Sequence, residues 1–320
     1  MNNDLNKMST VKNYLSLVKF SHTIFAMPFA MIGFVLGITT FEYYRIFSPA
    51  TRNFVNEYPA GFFDGYPKTI TEAAIRFVLV IVCMVTARSA AMAFNRYLDR
   101  HFDAKNPRTA NREIPAGIVS PQNALYFIVG SCVLFVIATY FINKLCFYLS
   151  PVALFVILFY SYTKRFTYLC HLVLGLGLSL APIGAYLAVT GSFDLLPVLF
   201  SFAVVFWVSG FDIIYALNDI AFDQSQQLYS IPAVVGTKNG LKVSKLLHFI
   251  SACCVLAAGY YGAFHWLYWL GVLVFIGMLI YQHSIVKPND LSRVNIAFMT
   301  ANGIASVVFG VFVIADLIIN

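Results

Sequence analysis

Two short stretches of the chain hold six of its fourteen acidic residues, and their spacing is the first sign of chemistry. Asp99, Asp103 and Glu113 form one group; Asp212, Asp219 and Asp223 form the other. The first stretch reads Asn95-x-x-x-Asp99-x-x-x-Asp103, and on a helix its i, i+4, i+8 spacing keeps three oxygen-bearing side chains on one face. The second reads Asp212-x-x-Tyr215-x-x-x-Asp219-x-x-x-Asp223, where offsets of 7 and 11 bring the three Asp back to within about 20° of one direction. Carboxylates four apart on one face repel by about 0.2–0.5 kcal/mol per pair, so each stripe calls for positive charge. Hard oxygen donors in a partly hydrated site suit Mg²⁺, which takes one or two carboxylates and completes its shell with water and a substrate's phosphates. Two such stripes facing each other would hold a metal-bridged diphosphate.

The plainer reading of each stripe is a solvated helix end whose acids pair with Arg96, Arg100, Lys105 or Arg108. Two features weigh against it. The offsets of Asn95, Asp99 and Asp103 match those of Tyr215, Asp219 and Asp223, and each stripe ends an apolar run on the same expected membrane side. Ile114-Pro115-Ala116 follows the first stripe and Ile231-Pro232-Ala233 the second, which suggests a duplicated four-helix unit with one further span added.

The elements that must position these residues are membrane spans. Of the 320 residues 60% are hydrophobic and 11% charged, against about 25% charged in soluble domains, and 31 Phe and 19 Tyr add more apolar surface than a globule of this size would hide. A helix needs about twenty apolar residues to cross the hydrocarbon. Such stretches lie near 20–40, 74–95, 123–143, 146–163, 168–190, 195–218, 243–263, 266–284 and 295–317. We therefore expect an all-α polytopic membrane protein, a single domain over 1–320, with nine transmembrane helices and a charged extramembrane insertion at 41–72 between spans 1 and 2. No cleavable signal peptide is evident, since the first twenty residues are polar and mixed.

The formal charge of +7 does not point to nucleic acid, because Lys and Arg fall in short segments between apolar runs. Placing Lys7, Lys12 and Lys19 inside also places Arg96 to Arg112, Lys164, Arg165, Lys238 to Lys245, Lys287 and Arg293 inside, leaving few cations outside. That asymmetry predicts a cytoplasmic N-terminus and an external C-terminus. The six Cys sit in or beside apolar runs with no C-x-x-C spacing and read as packing residues. The six His show no metal-ligand spacing and read as packing or interfacial residues.

The motifs also carry a resemblance. Asn95-Arg-Tyr-Leu-Asp99-Arg-His-Phe-Asp103, followed by Arg108-Thr-Ala-Asn-Arg112-Glu-Ile-Pro115-Ala-Gly117, resembles the first signature of the UbiA-type intramembrane aromatic prenyltransferases, the 4-hydroxybenzoate polyprenyltransferase family. Gly210-Phe-Asp212-Ile-Ile-Tyr215-Ala-Leu-Asn-Asp219-Ile-Ala-Phe-Asp223 is similar to the second, with supporting matches at Tyr160-Ser-Tyr-Thr-Lys164-Arg165 and Phe20-Ser-His22-Thr23. The resemblance covers nearly the whole chain. It implies nine helices around a central cavity whose cytoplasmic mouth binds Mg²⁺ and a prenyl diphosphate, in a bacterial cytoplasmic membrane and with no known protein partner. Asn95, Asp99 and Asp103 would hold one metal, and Asp219 and Asp223 a second. Departure of diphosphate from an allylic carbon builds charge on the leaving oxygens, and metal ions with fixed cations stabilise it best where water is excluded.

Lys105, Arg108, Arg112, Lys164 and Arg165 are the cations offered to the diphosphate or to an acceptor's carboxylate. Their plainer role is membrane orientation. Arg88, inside an apolar span, is costly unless it faces a cavity or an acid. Tyr215 would support a carbocation with its ring or orient Asp219. Asp212, a turn deeper, is the candidate base for the proton lost by the acceptor.

Two departures bear on the acceptor. Hydroxybenzoate-type members commonly read Asn-Asp and Arg-Pro where this chain has Asn95-Arg96 and Arg112-Glu113, so Glu113 adds negative charge near an aromatic carboxylate. Arg-Thr-x-x-Arg favours 4-hydroxybenzoate or a related carboxylate of quinone biosynthesis. A naphthoate-type enzyme of menaquinone biosynthesis is the alternative, since Arg88-Ser-Ala-Ala-Met92-Ala-Phe-Asn95 resembles a pattern in one such branch. A cation or proton-coupled transporter is the rival of another class, distinguished by acids near the bilayer midplane rather than at span ends.

Overall fold

The computed structural model describes residues 12–18, 25–47 and 67–319. Its architecture is all-α, and among the described residues there is no strand beyond one isolated bridge between Lys287 and Asp290. The helices are α1 Met27–Phe47, α2 Ile70–Leu98, α3 Arg100–Lys105, α4 Pro121–Ile142, α5 Lys144–Thr163, α6 Cys170–Thr190, α7 Leu195–Ala216, α8 Ile220–Ser225, α9 Ile231–Tyr261, α10 Trp266–Ile285 and α11 Asn302–Ile319. A 3-10 turn Leu217–Asp219 joins α7 to α8, and a π-helical turn Ile296–Ala301 leads into α11.

Sharp turns follow from short polar side chains at the helix starts. Thr69, Ser120, Asn143, Asp194 and Ser230 each accept a backbone N–H of the first turn of α2, α4, α5, α7 and α9. Pro121 occupies the first position of α4, where its missing N–H costs nothing. Gly191 ends α6 at φ +66°, a conformation that favours glycine.

Eight helical stretches are long and apolar enough to cross a membrane, the last running Ile296–Ile319. They coincide with eight of the nine expected spans. The ninth, expected at 20–40, overlaps α1, a 21-residue helix whose part Met27–Thr40 is apolar. Among the described residues, eight spans are counted in full, and the expected ninth is represented by the apolar part of α1. The expected insertion at 41–72 lies mostly outside the described residues. A further difference is at α9, which begins at Ile231, twelve residues before the apolar run at 243. Lys238, Lys242 and Lys245 depress the hydropathy of that first part, and Gly236 kinks it at φ 78°.

The helices form two groups that meet along α1, α6 and α7. In the first, α2 packs on α4, α4 on α5, and α5 on α6; in the second, α7 packs on α9 and α10 on α11, which returns to α1. Phe29, Phe200, Trp207, Phe275 and Phe309 fill the second group with mutually tilted or edge-on rings. The Trp207 indole N–H donates to Asn302 Oδ1 at 2.9 Å, so the buried ring leaves no polar atom unsatisfied.

Without a hydrophobic drive between helices in lipid, close approach depends on small residues. Gly33 on α1 is such a point, because a Cβ there would lie 2.0 Å from the Pro182 carbonyl oxygen of α6. Gly33→Ala should therefore lower stability by about 1–3 kcal/mol through overpacking against backbone. A thermal-unfolding midpoint in detergent equal to wild type would contradict this contact.

Candidate active site

Both acidic motifs break their helix at the middle of the three matched positions, Asn95, Asp99 and Asp103 in one and Tyr215, Asp219 and Asp223 in the other. Asp99 ends α2 at φ −88°, ψ 4°, and Asp219 ends the turn after α7 at φ −111°, ψ 3°, the sparsely used bridge between helix and strand conformations. A six-residue helix follows each break, α3 or α8, and carries the next acid, Asp103 or Asp223, into a buried position. The stripes are thus not single helical faces as the spacing implied. Their shared break is nevertheless the local similarity expected of a repeated unit.

Two loops bring the stripes to a common mouth. Adjacent residues Lys164 and Arg165, after α5, reach opposite stripes: Lys164 Nζ lies 2.7 Å from Asp223 Oδ1, and Arg165 donates to Asp99 Oδ1 at 2.9 Å. In the loop after α3, Arg112 donates to both oxygens of Asp103, at 2.8 and 2.9 Å, and Arg108 crosses to the other stripe. Arg108 grips Asp219 through Nε and Nη2 and donates from Nη1 to the Tyr215 hydroxyl at 2.8 Å, its guanidinium carbon 5.1 Å from that ring's centroid. Each of the four acids thus meets one cation.

Burial pushes the Asp99 carboxyl up to about 6, against the pull of Arg165. For Lys164 and Arg108 burial works against the charge, but Asp223 and Asp219 outweigh it and raise both above their ordinary values. Lys105 stands apart, exposed and 3.4 Å from the Gln226 side chain.

The oxygen donors suit a hard cation. Asn95 donates its amide N–H to Asp99 Oδ2 at 3.2 Å, leaving its amide oxygen as a further hard donor beside that carboxylate. Asp223 Oδ2 accepts from Ser230 at 3.0 Å, while its buried Oδ1 makes no hydrogen bond of good geometry and meets the Lys164 ammonium. In this arrangement no three His, Cys, Asp or Glu side chains come together among the described residues. The donor chemistry fits Mg²⁺; freeing the acids of each motif for an ion would require the four cations to turn from carboxylate to another anion.

Two cavities adjoin Arg112, one of these cations. A polar one of about 590 Å³ is lined by Arg96, Arg108, Arg112, Glu113, Tyr215, Asn218 and neighbours. An apolar one of about 520 Å³ lies among α2, α4, α5, α6 and α7, with Val80, Met84, Phe135, Val156, Leu178 and Phe211 on its walls. Arg96, Arg112 and Tyr215 line both. Its other polar groups include Asn95, Tyr160, Asp212 and Arg88, whose buried Nε has no hydrogen-bond partner.

Three features were not legible in the spacing. Arg96 and Glu113, each a departure from the family pattern, form one buried ion pair, to which Ser16 adds a hydrogen bond on Glu113. The negative charge feared near the acceptor is neutralised there. His171, expected as a packing residue, bonds Asp212 through Nδ1 at 2.6 Å. The partner of Tyr215 is Phe298, whose ring centroid is 4.3 Å away and which also lines the apolar cavity.

Asp99 follows the end of the apolar stretch Ile70–Leu98, and Asp219 lies near the end of Leu195–Ser225, whereas the transporter alternative calls for acids near the middle of a span. Comparison with known proteins agrees. A 4-hydroxybenzoate octaprenyltransferase of Nitrosomonas europaea is 30% identical over 254 residues, covering 77% of this chain and 82% of that protein. Among solved structures, a UbiA homolog from Aeropyrum pernix K1 matches with TM-score 0.72 and 26% identity over 93% of this chain and 97% of its own. A UbiA homolog from Archaeoglobus fulgidus bound to DMAPP and Mg²⁺ shares the fold at TM-score 0.70 and 18% identity, over 96% and 100% of the two chains. The sequence profile of the UbiA prenyltransferase family matches residues 66–304, and the chain belongs to that family and is a prenyltransferase.

Proposed function

We propose that this protein transfers a polyprenyl group from a prenyl diphosphate to an aromatic acceptor bearing a carboxylate, 4-hydroxybenzoate in the first place, with Mg²⁺ held by Asn95, Asp99 and Asp103 and by Asp219 and Asp223. The observation that carries the reading is the joining of two unlike cavities at Tyr215. A polar cavity lined by Arg108, Arg112 and the Arg96–Glu113 pair shares Arg96, Arg112 and Tyr215 with an apolar chamber whose wall holds Arg88, its buried Nε without a hydrogen bond, and a carboxylate, Asp212.

Bound Mg²⁺ would supply electrophilic stabilisation of the leaving diphosphate. When the diphosphate docks, Arg108, Arg112, Lys164 and Arg165 exchange carboxylate for phosphate oxygens, keeping each charge paired in a poorly hydrated mouth. The prenyl chain lies in the apolar chamber, where burial is favourable and water is kept from the allylic cation. Tyr215, fixed by Arg108 and Phe298, presents its ring at the boundary between the cavities. Arg88 orients the acceptor through its carboxylate. Asp212 takes the ring proton once the new carbon–carbon bond has formed. The Lys and Arg of the loops support a mouth on the cytoplasmic face of a bacterial membrane, and nine spans would then put the N-terminus inside and the C-terminus outside.

The test is transfer of a labelled prenyl diphosphate to lipid product by membranes carrying the protein, with 4-hydroxybenzoate and a dihydroxynaphthoate in parallel. Product is expected with 4-hydroxybenzoate, lost in EDTA and restored by Mg²⁺. Product only with the naphthoate would move the assignment to the menaquinone-type acceptor. Full activity in chelator would refute the metal role.

A further inference from the structure

We propose that His171 is a positioning residue for Asp212, holding one oxygen of its carboxylate so that the other is presented to the acceptor's departing proton. The inference rests on the reading of Asp212 as the base given above.

His171 is the second residue of α6 and its side chain is 2% exposed. Two neighbouring helices, α7 and α9, hold it. Its Nε2 accepts the backbone N–H of Ile231 at 3.3 Å, its carbonyl accepts from Ser209 of α7 at 3.0 Å, and its Nδ1 meets Asp212 Oδ2 at 2.6 Å. Ile231 opens α9, where the first N–H groups have no partner within the helix. Because that N–H points at Nε2, Nε2 is the acceptor and the neutral ring carries its hydrogen on Nδ1. An Nδ1–H donor requires an acceptor, so Asp212 Oδ2 bears no hydrogen. One backbone group thereby sets the tautomer, and the tautomer directs a donor at Oδ2 of Asp212.

A buried histidine held only for packing looks different. His248 also bonds at both nitrogens, to the Trp207 carbonyl at 3.2 Å and to His283 at 3.0 Å, but neither partner lines either of the two cavities described above. His171 instead ends on a carboxylate that is 21% exposed and lines the apolar chamber. The residue before Ile231, Ser230, donates to Asp223. The start of α9 therefore holds the imidazole and an acid of the second motif in one register.

The proton balance is simple. The allylic C–O bond breaks with its electron pair leaving on diphosphate, a ring carbon of the acceptor forms the new C–C bond, and the hydrogen on that carbon leaves as a proton to the free oxygen of Asp212. His171 keeps its Nδ1 hydrogen throughout and stays bonded to Oδ2.

Two amides separate positioning from packing. In His171→Asn the side-chain N–H falls near the place of Nδ1 and can still hold Asp212; in His171→Gln it reaches toward the Nε2 position and cannot. Expected are a kcat for His171→Gln about 10- to 100-fold below wild type and for His171→Asn within about threefold, with KM for both substrates nearly unchanged. In an Asp212→Asn background the two variants should become equal, since the group they position is gone. Equal kcat for Asn and Gln in the otherwise native protein, a loss confined to KM for prenyl diphosphate, or losses that multiply with Asp212→Asn would overturn the proposal. Wild-type turnover by Asp212→Asn alone would instead remove the base on which it rests.

Discussion

Turnover of Asp99→Ala and of Asp219→Ala should fall by about 10²–10³-fold or more, with the protein still inserted and folded. These are the two carboxylates at which the helices break, each in the bridge conformation and each facing a cation from a loop. Arg108 and Arg165 are partly exposed, so losing either pair costs at most about 1 kcal/mol of stability. Activity has no such tolerance, because removing a carboxylate proposed to hold Mg²⁺ removes charge stabilisation where the leaving group departs. The measurement is prenyl transfer in membranes, with a thermal-unfolding midpoint on the same preparations. Rates within tenfold of wild type in either variant would remove these acids from the metal site. A collapse of the midpoint with the rate would make their role structural.

Arg88→Leu should act in opposite directions on stability and on activity. The Arg88 side chain lines the apolar chamber and its Nε is buried without a hydrogen bond. Keeping a guanidinium there is costly, and leucine should raise stability by on the order of 1–3 kcal/mol. The same change removes the cation proposed for the acceptor's carboxylate. A charge-assisted hydrogen bond of about 1.5–3 kcal/mol corresponds to a loss of roughly 10- to 150-fold in kcat/KM for the acceptor, with KM for prenyl diphosphate unchanged. If the defect fell on prenyl diphosphate instead, Arg88 would belong to the diphosphate mouth. A lower unfolding midpoint would mean that Arg88 holds the helices together.

Arg96 and Glu113 show how far residue-by-residue reading reaches. Each is visible as a departure from the family pattern, and Glu113 alone suggests a charge that would repel an acceptor carboxylate. Their 17-residue separation crosses a helix break and a loop, so no helical periodicity connects them. Once folded they form one neutral buried pair, and the apparent conflict with a carboxylate substrate disappears.

His171 was hidden for a similar reason. A single His among Leu and Cys carries no spacing signal, and Asp212 lies 41 residues away on the next long helix. The Tyr215 partner, Phe298, comes from the far end of the chain.

The positions of the long helices were legible because a bilayer leaves each span to satisfy its own backbone hydrogen bonds, and an unbroken apolar run records that requirement locally. The oxygen donors, the cations and the mouth they share were legible for a related reason: charged groups gather at span ends, where the chain leaves the hydrocarbon. Pairing was decided by tertiary structure. Which cation meets which acid, that both motifs break at the middle of their matched positions, that Arg88 Nε is left without a hydrogen bond and that His171 holds Asp212 all depend on helices distant in sequence coming within a few ångströms. Coulombic and hydrogen-bond partners are chosen by that distance, which no local pattern of residues encodes.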